Sequence, residues 1–174
     1  RILNVRKKFL DDNKMEVHKI VFSKYLAGLS FNLSQILEND FNRTFLCNSG
    51  AEAVEGALKI AFRSCKNKKF VLSSNKSYHG KLIATGSISG SYKEKNTFPK
   101  ISNYDFFDFN DPVSLEKKIE ELNNKGGVYA VVIEPYSATL LEECSNEFIE
   151  KLIFLKNKFK FKIICDEVYC AWYK

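Results

Sequence analysis

The sequence predicts an α/β domain with a mostly parallel sheet and flanking helices. Segments of strand type alternate with segments of helix type along the chain, which is the pattern of such a domain. The segment at 128–134, VYAVVIE, is almost unbroken in apolar and β-branched residues, as in a strand buried on both faces. With 174 residues, 45% of them hydrophobic, the chain is long enough for one sizeable core.

Two helices and three strands are predicted in the first two thirds of the chain. Residues 32–41 carry apolar side chains at helical spacing, and residues 43–48 (RTFLCN) have the pattern of a short strand. The helix after them has one apolar face, formed by Val54, Ala57, Leu58, Ala61 and Phe62. On its opposite side, Glu55 and Lys59 have the spacing of a favourable ion pair. Two further strands are predicted at 69–74 and 104–109.

The last third of the chain continues the alternation. Asp111 and Pro112 are typical of a helix N-cap and a first helical residue, and Gly126-Gly127 of the end of that helix. A helix is predicted at 146–159, followed by a last strand at 161–167, FKIICDE. The residues expected on the buried side of that helix are Phe148, Ile149, Leu152, Ile153 and Phe159.

Composition and charge make several classes of protein unexpected. The net charge of +6 comes from scattered lysines without a nucleic-acid-binding motif, so neither a nucleic-acid partner nor a membrane partner is predicted. Five cysteines without a CxxC pair indicate neither a metal site nor a disulfide framework. Cys47 and Cys165 lie in apolar runs, where free thiols behave as small core residues. Without a signal peptide or a membrane-length apolar run, we expect a cytoplasmic protein.

Polar residues follow four of the predicted strands, at the edge where parallel sheets bind ligands. In chain order they are Ser49 to Ala51, Asn75 to Gly80 (NKSYHG), Glu134, and Asp166. Ser49 and Glu52 match the capping box S-x-x-E, and the Gly-Ala step also leaves helix amides open to an anion such as phosphate. These two interpretations are compatible, and both stay open.

The other groups also allow two interpretations each. Asp166 either caps a turn or pairs with a buried cation such as a protonated ring nitrogen. Tyr78 and His79 either form a plain turn or present an aromatic ring to a planar ligand. The proline after Glu134 can simply end its strand.

Taken together, the four groups resemble the motifs of class III aminotransferases, the acetylornithine and ornithine aminotransferase-like enzymes. The matching segments are NSGAEAVEGALKIAFR at 48–63, SYHGK at 77–81, VVIEP at 131–135 and IICDEV at 163–168. They come in the family's order and with family-like spacing from about His18 onward. The resemblance implies the aspartate-aminotransferase fold (fold type I), with residues 1–174 forming part of the large domain that binds pyridoxal phosphate.

The resemblance implies a role for each matching residue. Ser49 and the backbone amides of Gly50 and Ala51 would hold the cofactor phosphate. Tyr78 would stack on the pyridine ring. Asp166 would be the catalytic residue that pairs with the ring nitrogen and keeps it protonated.

Three more residues complete the implied cofactor site. Val168 would pack against the other face of the ring, and Glu134 would belong to a polar wall near the substrate. His79 is included among the cofactor-binding residues.

The sequence departs from the family pattern after two of the motifs. Tyr136-Ser137-Ala138-Thr139 stands where the family usually has a Gln-Gly-Glu-Gly-like run, so the resemblance does not extend to glutamate-type substrate gating. Tyr169-Cys170-Ala171 stands in place of Gln-Thr-Gly. The usual glutamine contact with the cofactor's ring hydroxyl is therefore absent, or tyrosine replaces it.

The family's Schiff-base lysine lies well beyond the strand-end aspartate and has no counterpart here. Lys174, at the chain end, is unsuitable, as are Lys59 on a helix face and Lys81 after the stacking tyrosine. We therefore expect an N-terminal segment and the C-terminal part with this lysine to be absent from residues 1–174. The chain alone is then expected to be inactive.

The resemblance implies an enzyme that transfers an amino group from a small-molecule donor to a keto acid or aldehyde, working as a homodimer. An aminomutase or a decarboxylase of the same fold is an alternative, as is a non-catalytic relative that serves as a binding or interaction module. A nucleotide-binding Rossmann domain is disfavoured because no G-x-G-x-x-G follows a predicted strand.

Overall fold

The computed structural model describes residues 2–11, 24–37, 41–95 and 97–171 and divides into two compact units, Arg1–Leu46 and Cys47–Lys174. The first unit contains helices α1 (Ile2–Asp11) and α2 (Lys24–Ile36). The helical spacing predicted at 32–41 is that of α2, which begins and ends earlier than expected. Phe41 lies outside the helix and is exposed. Two residues discussed above, His18 and Lys174, lie outside the described residues.

The second unit is an α/β domain, as predicted. Its helices are α3 (Gly50–Ser64), α4 (Ile83–Ile88), α5 (Pro112–Asn123) and α6 (Asn146–Phe159), with a 3-10 turn at Gly90–Tyr92. Its strands are β1 (Phe70–Ser74), β2 (Tyr104–Phe107), β3 (Val128–Ile133), β4 (Tyr136–Ser137), β5 (Glu142–Glu143) and β6 (Lys162–Cys165). Four strands form a parallel sheet in the order β2-β1-β3-β6, whereas β4 and β5 form a short antiparallel hairpin.

Strand β3 lies inside the sheet, which explains its apolar sequence. It pairs with β1 on one side, where Val131 is opposite Leu72, and with β6 on the other, where Val131 is opposite Ile163. All six residues of β3 are buried. Val131 and Ile133 point to the face covered by α5 and α6, whereas Ala130 and Val132 point to the face covered by α3 and α4. Alternate side chains of one strand therefore enter two separate cores.

Local capping sets the start of several helices. Asp111 accepts hydrogen bonds from the amides of Val113 and Ser114, and Pro112 is the first residue of α5, as predicted. Ser145 accepts from the amide of Phe148 at the start of α6. Each cap satisfies helix amides that have no partner within their own helix.

Several predictions about single elements are wrong. Residues 43–48 form no strand: they pair with none of the four strands of the parallel sheet, and Phe45 is exposed. Cys165, on the edge strand β6, is exposed, and Cys47 is half-buried; the buried thiol is that of Cys65. Ile153 was expected on the buried side of α6 but is exposed, whereas Leu155, which was not expected there, is buried.

The predicted ion pair of Glu55 and Lys59 is also not formed. The Glu55 carboxylate instead accepts hydrogen bonds from the amides of Ala84 (2.8 Å) and Thr85 (3.2 Å), at the start of α4. Glu55 therefore joins two helices on the same face of the sheet.

Among the helices of the described segments, none has both the length and the apolar character needed to cross a bilayer.

Candidate active site

The N-terminus of α3 lies at one side of the candidate site. The Ser49 hydroxyl accepts from the amide of Glu52 (3.2 Å), and the Glu52 carboxylate accepts from the amide of Asn48 (2.6 Å). This is a capping box shifted by one residue, since the glutamate reaches the residue before the N-cap. The amides of Gly50 and Ala51 have no hydrogen-bond acceptor within the described residues. They are available to an anion, which the helix dipole favours at this position.

Two close contacts bring the other strand-end segments to this helix start. A Cβ atom on Gly50 would lie 2.5 Å from Cγ2 of Val168, so the turn after β6 packs directly on the first residue of α3. A Cβ on Gly80 would lie 2.5 Å from Cβ of Ala51, so the segment after β1 packs on the second residue of α3. Gly80 also has a φ of +109°, which favours glycine. Both glycines are therefore required by close approach.

Asp166 and His79 form a buried polar pair beside these contacts. Nδ1 of His79 lies 2.8 Å from Oδ2 of Asp166, and the two residues are 2% and 8% exposed. Because a carboxylate only accepts, Nδ1 carries the proton of this hydrogen bond. In the neutral imidazole, Nε2 then accepts from the Ser73 hydroxyl, 3.0 Å away. The chain of contacts from Ser73 through His79 fixes the position of Asp166.

The remaining contacts of Asp166 come from the backbone. Its own amide donates to the carbonyl of Ile133 (2.8 Å), and its Oδ1 accepts from the amide of Val168 (3.2 Å). The carboxylate therefore has two hydrogen-bond partners, His79 and the amide of Val168, as a buried charge requires. It also sets the direction of the turn that carries Val168.

Glu134 joins the segments after β1 and β3. Its carboxylate accepts from the amides of Tyr78 (3.0 Å) and Ala138 (3.4 Å), and the residue is 5% exposed. Burial raises the pKa of Glu134 above its ordinary value, against the opposite influence of the two amides and of His79. Glu134 thus has a structural function in positioning Tyr78, which is compatible with a place in the site wall.

The Tyr78 ring lies at the surface of this region. It is about half-exposed and meets the ring of Tyr92 edge to face at 6.4 Å. Its backbone is held by the amide contact with Glu134, while the residue as a whole remains 40% exposed. Lys81 is close by, with Nζ 5.2 Å from the centre of the Tyr92 ring, and Lys59 is exposed on α3.

The structure brings together all the residues that the sequence predicted for the site, but not all of their partners were predicted. Ser73 and Ser89 were missed; Ser89 accepts from the amide of His79 (2.8 Å), and its one hydroxyl proton has the carbonyls of Thr85 (2.8 Å) and Gly80 (3.1 Å) within reach. Serines in and after apolar strands give no signal of this kind. Within the described residues, no group of three or more His, Cys, Asp or Glu side chains could hold a metal ion.

Comparison with known proteins identifies the relatives of the chain. The family model "Aminotransferase class-III" matches residues 1–172. The chain is 38% identical to an acetylornithine aminotransferase of Archaeoglobus fulgidus, over 88% of the chain and 40% of that protein. It is 35% identical to the acetylornithine aminotransferase of Bacillus cereus, over 71% of the chain and 31% of that protein. The chain thus spans about 40% of the first of these relatives.

Solved structures share the fold. An aminotransferase of Vibrio fluvialis, described as its PMP-bound form, matches 98% of the chain and 43% of its own length, with a TM-score of 0.82 and 18% identity. The ornithine aminotransferase of Toxoplasma gondii, described with partial occupancy of PLP, matches 88% of the chain and 37% of its own length, with a TM-score of 0.73 and 22% identity. The arrangement of α3, the sheet and its flanking helices is that of this fold.

Proposed function

The chain belongs to the class III aminotransferase family, and on this premise we propose that it forms one side of a pyridoxal-phosphate site in an aminotransferase. The full-length protein would move an amino group from a small-molecule donor to a keto acid or aldehyde. One observation carries the proposal: the unpartnered amides of α3 and the buried carboxylate of Asp166 belong to segments that touch each other through Gly50 and Val168.

These residues fit the cofactor, which combines a phosphate with a ring nitrogen. The Gly50 and Ala51 amides and the Ser49 hydroxyl would bind the phosphate at the positive end of the helix. The Ser49 oxygen accepts from Glu52 and keeps its own proton to donate to a phosphate oxygen. The residue at position 50 has no side chain that could block this approach.

Asp166 would face the ring nitrogen. When bound, pyridoxal phosphate withdraws electrons from the reacting carbon, and a protonated ring nitrogen strengthens that effect. Asp166 would hold the proton at the nitrogen by charge. We assign His79 a positioning role, because both of its ring nitrogens are engaged by Asp166 and Ser73. Tyr78 and Val168 would take the two faces of the ring, and Glu134 would line the site near the substrate.

Residues outside this chain would complete the enzyme. We propose that residues 1–174 are part of the large, cofactor-binding domain and that the catalytic lysine lies elsewhere in the full-length protein. On this proposal the chain alone is inactive, and the complete protein acts in the cytoplasm as a homodimer.

The test compares two aspartate variants in the full-length protein supplied with pyridoxal phosphate. Asp166→Asn should lower the rate of keto-acid formation about 100-fold or more, since a neutral amide holds no proton on the ring nitrogen. Asp105→Asn is the matched control: Asp105 pairs with Lys118 at 2.8 Å on the other side of the sheet, and its loss should leave the rate within about twofold.

Three outcomes would contradict the proposal. An Asp166→Asn protein as active as the unchanged one would exclude the role of Asp166. Release of carbon dioxide in place of amino-group transfer would identify a decarboxylase of the same fold. A full-length protein that retains no cofactor in dialysis, seen as the loss of its visible absorbance, would identify a non-catalytic relative.

A further inference from the structure

The two places where the chain departs from the family pattern meet in the structure. Tyr136 lies at the start of β4, two residues after Glu134, and Tyr169 lies directly after Val168. Their rings are stacked, with centroids 5.7 Å apart and planes inclined by 21°. Such an offset stack stabilises both rings beyond the area they bury. The two departures therefore form one feature, here called the tyrosine pair.

Tyr136 is the fixed member of the tyrosine pair. Its hydroxyl donates to the carbonyl of Leu141 at 3.0 Å, and its backbone pairs with Glu143 across the β4–β5 hairpin. Tyr169 rests on it, is 52% exposed, and its hydroxyl has no hydrogen-bond partner within the described part of the chain. The pair thus presents a flat, half-exposed aromatic surface.

The position of this surface follows from its neighbours. The turn after β6 is held against α3 by Val168 and Gly50, and against the β4–β5 hairpin by the tyrosine pair. The surface therefore lies at the edge of the candidate site, beside the segments of Glu134 and Asp166.

Charge limits what this edge would bind. The segments at 136–143 and 166–171 carry Glu142, Glu143, Asp166 and Glu167 and contain no lysine or arginine. A carboxylate on a ligand would meet no cation on these two segments, whereas an apolar or aromatic group would find the tyrosine ring.

We propose that the tyrosine pair is a specificity-determining surface that selects amino donors with an aromatic or apolar side group over donors with a second carboxylate. This inference rests on the proposed function. It assigns the two departures a shared role, in which Tyr169 contacts the side group and Tyr136 positions Tyr169.

The experiment uses the full-length protein with 4-phenylbutylamine and L-glutamate as probes. Tyr169→Ala should lower the ratio of kcat/KM for 4-phenylbutylamine to that for L-glutamate about tenfold. Tyr169→Phe keeps the ring and should leave the ratio within about twofold. Phe154→Ala removes an exposed aromatic ring on α6 and is the matched control, with no expected change.

A second measurement does not depend on catalysis. In calorimetric titration of the cofactor-free protein with 4-phenylbutylamine, Tyr169→Ala should raise the Kd about tenfold, and Phe154→Ala should not. An unchanged ratio and an unchanged Kd in Tyr169→Ala would overturn the inference even in an active aminotransferase. If no donor reacts but the Kd still depends on Tyr169, the proposed function fails and the aromatic surface stands.

Discussion

The Nδ1 atom of His79 lies 2.8 Å from the carboxylate of Asp166, although 86 residues separate them in the chain. The strands β1 and β6 that precede these residues are not neighbours in the sheet, since β3 lies between them. The pair therefore bridges the carboxyl ends of three parallel strands. If the proposed function is correct, this contact holds the carboxylate in the direction of the ring nitrogen.

Replacing His79 should separate this positioning role from a simple effect on folding. His79→Leu removes the donor to Asp166 and should lower kcat/KM of the full-length enzyme about 10- to 100-fold, as for a lost hydrogen bond to a charged group. His79→Asn retains an amide donor near the position of Nδ1 and should recover most of that loss. The measurement is kcat/KM together with the Kd of pyridoxal phosphate.

The pattern of the two histidine variants decides the interpretation. Equal losses in His79→Leu and His79→Asn, accompanied by equal losses in the free energy of unfolding, would show that His79 acts only through stability.

The contact between Gly50 and Val168 predicts a steric effect. Gly50→Ala places a methyl group 2.5 Å from Cγ2 of Val168 and should lower the free energy of unfolding by about 1–3 kcal/mol. Adding Val168→Ala should recover part of this loss, because only the Cβ of residue 168, at 3.6 Å, then remains close. Chemical denaturation of the single and double variants measures both effects.

Gly28 on α2 provides the matched control. A Cβ at this position meets nothing within 4 Å, so Gly28→Ala should stabilise the helix by about 0.5–1 kcal/mol. If Gly50→Ala lowered the free energy of unfolding no more than Gly28→Ala does, the result would contradict the close packing of Val168 on α3.

Two serine caps allow the phosphate role of Ser49 to be tested apart from its capping role. Ser49 and Ser145 each accept from the third amide of their helix at 3.2 Å, so either change to alanine should lower the free energy of unfolding by about 1 kcal/mol. Only Ser49→Ala should also weaken the binding of pyridoxal phosphate, roughly tenfold, since a hydrogen bond to a charged group is lost. An equal Kd of pyridoxal phosphate in Ser49→Ala and Ser145→Ala would mean that Ser49 caps the helix but does not bind the phosphate.

Local signals predicted the fold well, because they need no knowledge of distant residues. The unbroken apolar run of β3 and the Asp111-Pro112 cap are both decided by adjacent residues. The segment at 43–48 also has apolar residues, but it pairs with none of the strands of the sheet, and pairing with distant segments cannot be read from a local pattern.

The sequence suggested candidate-site residues by their type and position, but it did not predict their hydrogen-bond and packing partners. Glu55 has a lysine at helical spacing, yet it accepts hydrogen bonds from the amides of Ala84 and Thr85, about thirty residues away in the chain. The stack of Tyr136 on Tyr169 joins segments more than thirty residues apart, and each was visible in the sequence only as a separate departure. Contacts of this kind depend on the order of the strands in the sheet, which was not predicted from the sequence.

Glu134 predicts a dependence of stability on pH. Burial raises its pKa above the ordinary value of 4.5, so the folded protein binds this proton more tightly than the unfolded chain does. The contribution of Glu134 to the free energy of unfolding is fully present below pH 4.5 and is lost as the pH rises through the folded-state pKa. The free energy of unfolding of the unchanged full-length protein minus that of Glu134→Gln should therefore fall as the pH rises from 4.5, and then become constant.

Glu121 is the control with the opposite sign. The hydrogen bond from Lys125 lowers the pKa of Glu121, so its small contribution is present above pH 4.5 and is lost as the pH falls through the folded-state pKa. The corresponding difference for Glu121→Gln should rise as the pH rises toward 4.5 and then become constant. Denaturation curves at a series of pH values measure both differences. A difference for Glu134→Gln that rises with pH would mean that the two amide donors outweigh burial, and that Glu134 is held as a stabilised carboxylate in the wall of the site.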